Sequence, residues 1–322
     1  MTTPLRNNLI VSESSEQLSR DSKLIEFSRE IVKEGAYGVV TFDEEYAYKR
    51  FDESDIHVFY REVFYLSLFK GLKISQIERC SRLQIVMKKY DGSLEDLMYR
   101  TTQMERAKIA DEICSQLIPT LQEIHARGVK HRDITPANVF YNFRDNTYDF
   151  YLADFSLATV LDTNKPWNCA TCMRTDPDSN AWGRETDMWM FGVMIFEFIT
   201  GRKNRYFVDS ALSDGEKFLD FRKIMPFRIS DKLYNFLCNS LNFSGGDRVV
   251  GEITNPLKKP DEELNKNLVL KSLYRAGFKK ELLFNLAAIC FYDLPEKCVE
   301  YPREFCGKKF IDHLSSLYLF KN

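Results

Sequence analysis

The fold is decided by His131-Arg132-Asp133-Ile134-Thr135-Pro136-Ala137-Asn138 and by Leu152-Ala153-Asp154-Phe155-Ser156-Leu157-Ala158. The first segment follows a long amphipathic pattern and precedes a short apolar run, so Asp133 and Asn138 belong to a predicted loop. Asp154 comes at the end of the next predicted strand. Two carboxylates and an amide that converge can hold Mg²⁺ and accept a proton from a hydroxyl group.

Upstream of this loop the sequence carries two glycines, a lysine and a glutamate in order. Gly35 and Gly38 lie between two short predicted strands, where glycine lets the backbone approach an anionic ligand closely. A plain hairpin turn explains the two glycines equally well. Lys49 follows in an alternating strand, where it either points inward as a phosphate-binding cation or lies exposed at an edge. Glu62 lies among apolar residues of a predicted helix, so its carboxylate needs a partner, and Lys49 is a candidate.

The hydrophobic patterns predict a small β-rich part followed by a larger α-rich part. Strands are predicted at 39–42, 46–51, 83–87, 138–141 and 150–153. Helices are predicted at 55–70, around Ile109 to Ile124, and at 187–200, 230–242, 261–274 and 279–291, with a long loop at 156–185. We expect a flexible leader at 1–25, a small lobe at 26–88, a large lobe at 89–254, and a helical extension at 255–322 that packs on the large lobe or docks a partner.

Composition excludes several classes of protein. The 322 residues carry 45 basic and 47 acidic side chains, and this near-neutral charge argues against a dedicated nucleic-acid binder. The most apolar helical stretch, 188–200, is too short to span a bilayer. No export signal is evident, so the eight cysteines are expected to be thiols of a cytoplasmic or nuclear protein. Cys169 and Cys172 have metal-ligand spacing but no second close pair, which favours plain thiols.

Taken in order, these motifs resemble those of the eukaryotic protein-kinase family. The resemblance runs from about Phe27 to Arg248, and Asp187-Met-Trp189-Met-Phe-Gly192 matches the start of the family's central helix. It implies a bilobal α+β fold and transfer of the γ-phosphate of ATP, with Mg²⁺, to protein substrates. Pro136 favours serine and threonine as acceptors. The variant at 133–138 resembles the herpesvirus kinase group, which suggests a kinase of a large DNA virus.

The resemblance also implies a role for each matching residue. Lys49 would bind the α- and β-phosphates and pair with Glu62. Asp133 would take the proton of the substrate hydroxyl, while Asn138 and Asp154 would hold the metal ions. Residues implied to contact the nucleotide are Gly35, Ala36, Gly38, Val40, Ala47, Lys49, Met87, Lys88, Tyr90 and Phe140. Structural roles are implied for Asp187 as a brace below the catalytic loop and for Leu66, His131 and Phe155 as an internal spine.

Four departures from the family pattern leave a second interpretation open. Lys33 replaces the first glycine of the phosphate loop, Thr135 replaces a phosphate-contacting lysine, and Ser156 replaces the glycine after Asp154-Phe155. The family's Ala-Pro-Glu element is unclear, and 176–178 (Asp-Pro-Asp) is the nearest match. A pseudokinase that binds nucleotide and regulates a partner protein would also carry such changes.

Arg132 precedes Asp133, as in kinases that are switched on by a phosphate in the activation loop. The candidate acceptors are Thr159, Thr163, Thr171 and Thr175. A phosphate paired with Arg132 would order that loop. A short loop that needs no phosphate is equally compatible with the sequence.

Overall fold

The structure is a computed structural model that describes residues 33–35, 38–160, 184–201, 228–241, 266–292, 294, 297, 298, 301 and 303–317. Several sequence expectations lie outside these residues: the leader at 1–25, Ala36, the Cys169–Cys172 pair, the segment 176–178 and Arg248. Within the described part of the chain, no helix combines the length and apolar character needed to cross a bilayer.

The small lobe is an antiparallel five-stranded sheet with the order β1-β2-β3-β5-β4. Its strands are β1 (Lys33–Gly35), β2 (Gly38–Phe42), β3 (Tyr46–Arg50), β4 (Ile77–Ser81) and β5 (Gln84–Lys88). Asp43 stabilises the β2–β3 turn because its Oδ1 accepts the backbone N–H groups of Glu45 and Tyr46 at 2.8 and 2.6 Å. The predicted hairpin is confirmed. Helix α1 (Ile56–Leu68) packs against this sheet. The helix predicted at 55–70 is thus confirmed with slightly narrower bounds.

The large lobe is helical. Its described helices are α2 (Leu94–Arg100), α3 (Gln103–Ala126), α4 (Arg184–Thr200) and α5 (Asp231–Ser240). Capping boxes start α2 at Ser93 and α3 at Thr102, where each side chain and its partner three residues later satisfy otherwise unpaired N–H groups. Pro119 lies on the exposed side of α3, so the helix continues through it. Helix α4 is buried on all sides from Thr186 to Ile199, as its apolar sequence predicts.

A hairpin in the large lobe brings two of the predicted site residues to one edge. A three-stranded sheet has the order β6 (Gly92–Ser93), β8 (Val139–Arg144) and β9 (Thr147–Leu152). Asp145 and Asn146 form its turn with φ values of 52° and 59°. Val139 pairs with Leu152 at the opposite end. Asn138 precedes β8 and Asp154 follows β9, so antiparallel pairing places both residues at that end.

A second small sheet pairs β7 (Val129–Lys130) with β10 (Thr159–Val160). Thr159 pairs with Lys130 and is fully buried. It is therefore not accessible as a phosphate acceptor in this conformation, which corrects one of the four candidates. The other three, Thr163, Thr171 and Thr175, fall outside the described residues.

The extension contains α6 (Lys266–Arg275) and α7 (Lys280–Cys290), close to the helices predicted at 261–274 and 279–291, and α8 (Lys308–Ser316), for which no separate helix was predicted. The expectation that it packs on the large lobe is wrong for its main described contacts. Helices α7 and α8 and the 3₁₀ turn Arg303–Cys306 all pack against α1 of the small lobe. The reason is a second apolar face on α1, which the sequence of α1 alone does not assign to a partner.

Candidate active site

Three side chains that are remote in sequence meet between the lobes. Lys49 Nζ on β3 lies 2.7 Å from Oε2 of Glu62 on α1 and 2.9 Å from Oδ1 of Asp154. The side chains of Lys49 and Glu62 are 11% and 1% exposed, while that of Asp154 is 28% exposed. The predicted pair of Lys49 and Glu62 therefore forms, and Asp154 joins it from the side that solvent reaches.

Burial and pairing act in opposite directions on these three groups. Burial alone would lower the pKa of Lys49, but Asp154 and Glu62 offset it and raise the pKa above its ordinary value. Burial raises the pKa of Glu62 to about 7, against the opposing effect of Lys49. Burial would also raise the pKa of Asp154, but Lys49 and Ser156 hold it below the ordinary range. Asp154 is therefore an ionised carboxylate at neutral pH.

The backbone presents the Asp154 carboxylate in a specific way. Asp154 has φ 62° and ψ 76°, a left-handed conformation that non-glycine residues adopt rarely. Its Oδ1 accepts the N–H of Ser156 at 3.3 Å, which caps the 3₁₀ turn Phe155–Leu157. Ser156 itself has a negative φ, so serine in place of the family's glycine adds no left-handed strain here.

The loop that contains Asp133 is held by its own side chains. Asn138 Nδ2 donates to Asp133 Oδ2 at 2.7 Å and to Asp133 O at 3.0 Å. This arrangement fixes the Asp133 carboxylate and leaves the Asn138 amide oxygen as an acceptor. His131 Nδ1 accepts the N–H of Asp133 at 3.2 Å, and His131 Nε2 lies 3.0 Å from Ala153 O. These partners require the neutral Nε2–H tautomer, and burial accordingly lowers the pKa of His131.

Asp187, at the start of the buried part of α4, braces this loop. Its Oδ2 accepts the N–H of His131 at 2.7 Å and lies 2.8 Å from His125 Nε2. Its Oδ1 accepts the N–H of Arg132 at 2.7 Å. Arg132 has φ 73°, so the carboxylate stabilises a strained turn. Burial would raise the pKa of Asp187, but His125, His131 and these hydrogen bonds lower it.

The residues expected around the nucleotide line the sheet and the connection between the lobes. Ala47 pairs with Met87 across β3 and β5, and both are buried. Val40 pairs with Lys49 across β2 and β3. Lys88, at the end of β5, is exposed.

Tyr90 in the connection between the lobes and Gly38 at the start of β2 also belong to the expected nucleotide site. Tyr90 packs against Phe140 and Tyr151, with ring centroids 5.4 and 5.0 Å apart. Gly38 pairs with Gly35 and has φ 154°. A Cβ atom at Gly38 would lie 2.1 Å from Arg50 O, so this position requires glycine.

The expected spine is present in part. The rings of His131 and Phe155 lie 4.6 Å apart, and Phe155 lies 5.8 Å from the ring of Phe69. Leu66 is buried, but the aromatic neighbour of Phe155 near the end of α1 is Phe69.

Two further polar residues of this region were missed by the sequence reasoning. His125 continues the buried face of α3 that contains Leu117 and Leu121, and a buried histidine needs a partner. That signal was available in the pattern. Arg61 is only 5% exposed and donates to Ser156 O, for which the sequence carries no signal.

The order of these residues and the fold they occupy are shared with known proteins. Residues 35–250 match the model of the protein kinase domain. This chain belongs to the protein kinase family. Its small antiparallel sheet and helical large lobe are the two lobes of the kinase fold. Kinase domains in general use ATP and a divalent metal ion.

Curated relatives of this kinase are distant. CBL-interacting protein kinase 4 of rice is 31% identical over 147 residues, which is 42% of this chain and 31% of the relative. Aurora kinase of Eremothecium gossypii is 24% identical over 144 residues, 44% of this chain and 39% of the relative. Rho-associated protein kinase 1 of mouse is 26% identical over 204 residues, 58% of this chain and 14% of the relative. The kinase thus spans well under half the length of these relatives.

Proposed function

We propose that this kinase transfers the γ-phosphate of ATP, with Mg²⁺, to serine or threonine residues of protein substrates. The observation that carries the proposal is the contact of Lys49 with both Glu62 and Asp154 in one cleft. Phosphoryl transfer depends mainly on alignment and charge neutralisation, so a cation and carboxylates already in place are what the reaction needs.

The residues of the cleft fit a divalent metal ion. Asp154 is an ionised carboxylate, and Asn138 keeps an amide oxygen for a ligand. Magnesium prefers oxygen donors and is commonly bound by one or two carboxylates together with phosphate oxygens. The metal would neutralise charge on the phosphates. In this proposal Asp154 and Asn138 hold it, while Lys49 binds the α- and β-phosphates and Glu62 keeps the Lys49 ammonium in position.

Asp133 is the proposed proton acceptor. Its carboxylate is oriented by Asn138 Nδ2 at 2.7 Å. In this role Asp133 aligns the substrate hydroxyl and takes its proton as the hydroxyl oxygen forms the new bond to phosphorus. Asp187 and His131 maintain the loop without contacting the reacting atoms, and they are positioning residues.

The nucleotide is proposed to bind between the sheet and the β8–β9 hairpin. Ala47 and Met87 would contact the adenine from the small lobe, and Phe140 and Tyr90 from the large lobe. The remaining proposed contacts are Gly35, Ala36, Gly38, Val40 and Lys88. The pairing of Ala47 with Met87 and the packing of Tyr90 on Phe140 support this placement.

The acceptor residue and the setting are finer proposals. Pro136 and the names of the relatives support serine and threonine specificity, because those relatives include serine/threonine-protein kinases of Myxococcus xanthus and Schizosaccharomyces pombe. We propose protein substrates in the cytoplasm or nucleus. The resemblance of the loop at 133–138 to herpesvirus kinases remains the basis for proposing a viral origin.

A second candidate function is a nucleotide-binding scaffold that regulates a partner protein. It is favoured by Thr135, which stands where the family carries a phosphate-contacting lysine and therefore supplies no positive charge. The replacement of the first loop glycine by Lys33 also favours this second function.

Transfer of radiolabelled phosphate from ATP to a generic protein acceptor tests the main proposal. We expect Lys49→Met and Asp133→Asn to lower the rate by about a hundredfold or more. Matched controls are Lys108→Met and Asp145→Asn, which alter exposed residues on α3 and in the β8–β9 turn, at the end of that hairpin away from Asn138 and Asp154, and should retain the wild-type rate. Wild-type activity in folded Asp133→Asn would overturn the proposal. Thermal stabilisation by Mg–ATP without any transfer would favour the scaffold.

A further inference from the structure

Helix α1 is buried on all sides over most of its length. Every residue from Val58 to Leu68 is buried. A helix on the outside of a sheet normally buries one face and leaves the other to water. Here the sheet and the 3₁₀ turn after Asp154 cover one part of α1, and the chain's own C-terminal segment covers the rest. We call residues 280–292, 301 and 303–317 the C-terminal clamp.

Aromatic packing fastens the clamp to α1. Phe64 meets the fully buried Phe291 with ring centroids 5.5 Å apart. Tyr60 stacks on Tyr301 at 5.9 Å and meets Phe305 edge to face at 6.1 Å. Aromatic pairs at such separations contribute beyond the area they bury, and they favour one relative orientation of their rings. Packing against the clamp therefore favours one rotation and one translation of α1 relative to the clamp.

Hydrogen bonds between the clamp and α1 run in both directions. The Tyr65 hydroxyl donates to Cys290 O, at the C-terminal end of α7. Ser315 Oγ on α8 lies 3.2 Å from Ser67 O. Both bonds are buried, so moving α1 away from the clamp would lose their free energy. The Ser315 hydroxyl group is the weaker attachment, because Ser315 Oγ also lies 2.7 Å from Ile311 O of its own helix.

Arg61 extends this attachment into the catalytic cleft. Its Nη1 donates to Ser156 O and its Nη2 donates to Ile289 O, each at 3.3 Å. Ser156 is two residues after Asp154, and Glu62 is the residue next to Arg61. One buried guanidinium thus links the clamp, the helix that carries Glu62 and the turn that carries Asp154. Its rigid fork suits two carbonyl acceptors better than a single ammonium group does.

We propose that the C-terminal clamp is an intrachain activator: it holds α1 where Glu62 pairs with Lys49, and Arg61 is the positioning residue that transmits this to Asp154. The inference rests on the proposed kinase activity, whose regulation it describes. A displacement of α1 by about 1–2 Å would take Lys49 Nζ and Glu62 Oε2, now 2.7 Å apart, beyond hydrogen-bond distance. Since its own chain occupies the outer face of α1, no separate protein is needed to set that helix.

The experiment compares variants at the clamp with a matched control on the same helix. Phe291→Ala removes the ring that packs on Phe64, and Arg61→Met keeps an apolar stem without the two donors. Phe284→Ala is the control because Phe284 is 62% exposed on α7. Rates of phosphate transfer and deuterium exchange of peptides covering α1 are measured for each full-length variant, with α3 peptides as the internal reference. If Phe291→Ala fails to fold, Tyr65→Phe replaces it in the comparison, because it removes only the hydroxyl group that donates to Cys290 O.

We expect Phe291→Ala and Arg61→Met to lower kcat by roughly tenfold or more, because small misplacements of catalytic groups are costly. The KM for the protein acceptor should change by less than about twofold, since the clamp does not reach the proposed acceptor site. Exchange of α1 amides should rise while that of α3 amides stays constant, and Phe284→Ala should match wild type. Arg61→Lys, with fewer donors, should lie between wild type and Arg61→Met.

The exchange data separate this inference from the proposed function. Wild-type kcat and wild-type α1 exchange in Arg61→Met and in Phe291→Ala or Tyr65→Phe would overturn the clamp. Equal increases of exchange in α1 and α3 would also overturn it, because they indicate global loss of stability. If the wild-type protein transfers no phosphate, the proposed kinase activity fails, and α1 exchange alone decides whether the clamp holds that helix.

Discussion

Replacement of Asp187 by asparagine is the most direct test of how the catalytic loop is held. The carboxylate accepts the N–H groups of His131 and Arg132 and a third hydrogen bond from His125. An asparagine can keep its oxygen where Oδ2 accepts two of these groups, but its NH₂ then faces the N–H of Arg132. Two donors that face each other in a buried site leave both unsatisfied.

The cost follows from these contacts. Losing one charge-assisted hydrogen bond costs about 1.5–3 kcal/mol, and the other two weaken by about 1 kcal/mol each when the acceptor becomes neutral. The free energy of unfolding should therefore fall by about 4 kcal/mol. At about 2–4 °C per kcal/mol, the midpoint of thermal unfolding falls by about 10 °C.

Two measurements are made on Asp187→Asn: thermal unfolding by circular dichroism, and deuterium exchange of peptides that contain His131 and Arg132. Exchange of these two amides should rise sharply, because Arg132 has a left-handed backbone that the carboxylate stabilises. Asp91→Asn is the control, since exposed Asp91 accepts a single N–H, from Phe143 at 2.7 Å. A change in Asp187→Asn no larger than in this control would refute the reasoning.

Two further predictions concern the packing of α4 and the titration of Glu62. Gly192→Ala places a Cβ 2.4 Å from Ser240 Oγ on α5, so the midpoint of thermal unfolding should fall, and adding Ser240→Gly should restore part of it; full stability of the single variant would contradict this contact. Burial raises the pKa of Glu62 from 4.5 to about 7, so its stabilising contribution is present below pH 4.5 and lost as pH rises through 7. Without nucleotide, the stability of wild type relative to Glu62→Gln should therefore be greater at pH 5 than at pH 8, and a difference independent of pH would show that Glu62 does not titrate in this range.

Several parts of this protein follow from local sequence. Alternation in 39–42 and 46–51 predicts the hairpin, and the apolar spacing from Ile109 to Ile124 and over 187–200 predicts two helices, which the structure extends to Gln103–Ala126 and Arg184–Thr200. Such patterns work because hydrogen bonds and the exposure of alternating side chains depend on neighbours within a few residues. The ordered motifs also identify the family, since their residue types are tied to one kind of chemistry.

Other features could not be read from local patterns. The sequence offered Lys49 as the partner of Glu62 but did not settle whether that lysine points inward or lies at an edge. It did not show that His125 meets Asp187, or that the rings of Phe69 and Phe155 touch. Each of these contacts joins elements whose relative positions depend on the whole core.

The placement of the extension shows the difference most clearly. Its helices are visible in the sequence as apolar periodicity, yet we expected them on the large lobe and they pack on α1. An apolar face predicts that a helix packs against another element, but it does not show which one, because hydrophobic burial is non-directional. Sequence therefore determined several of the longer helices, the small-lobe hairpin, the motifs and the family. Only the tertiary structure decided that residues 105 positions apart, Lys49 and Asp154, share an ion pair, and that the C-terminal helices lie against the helix that supports it.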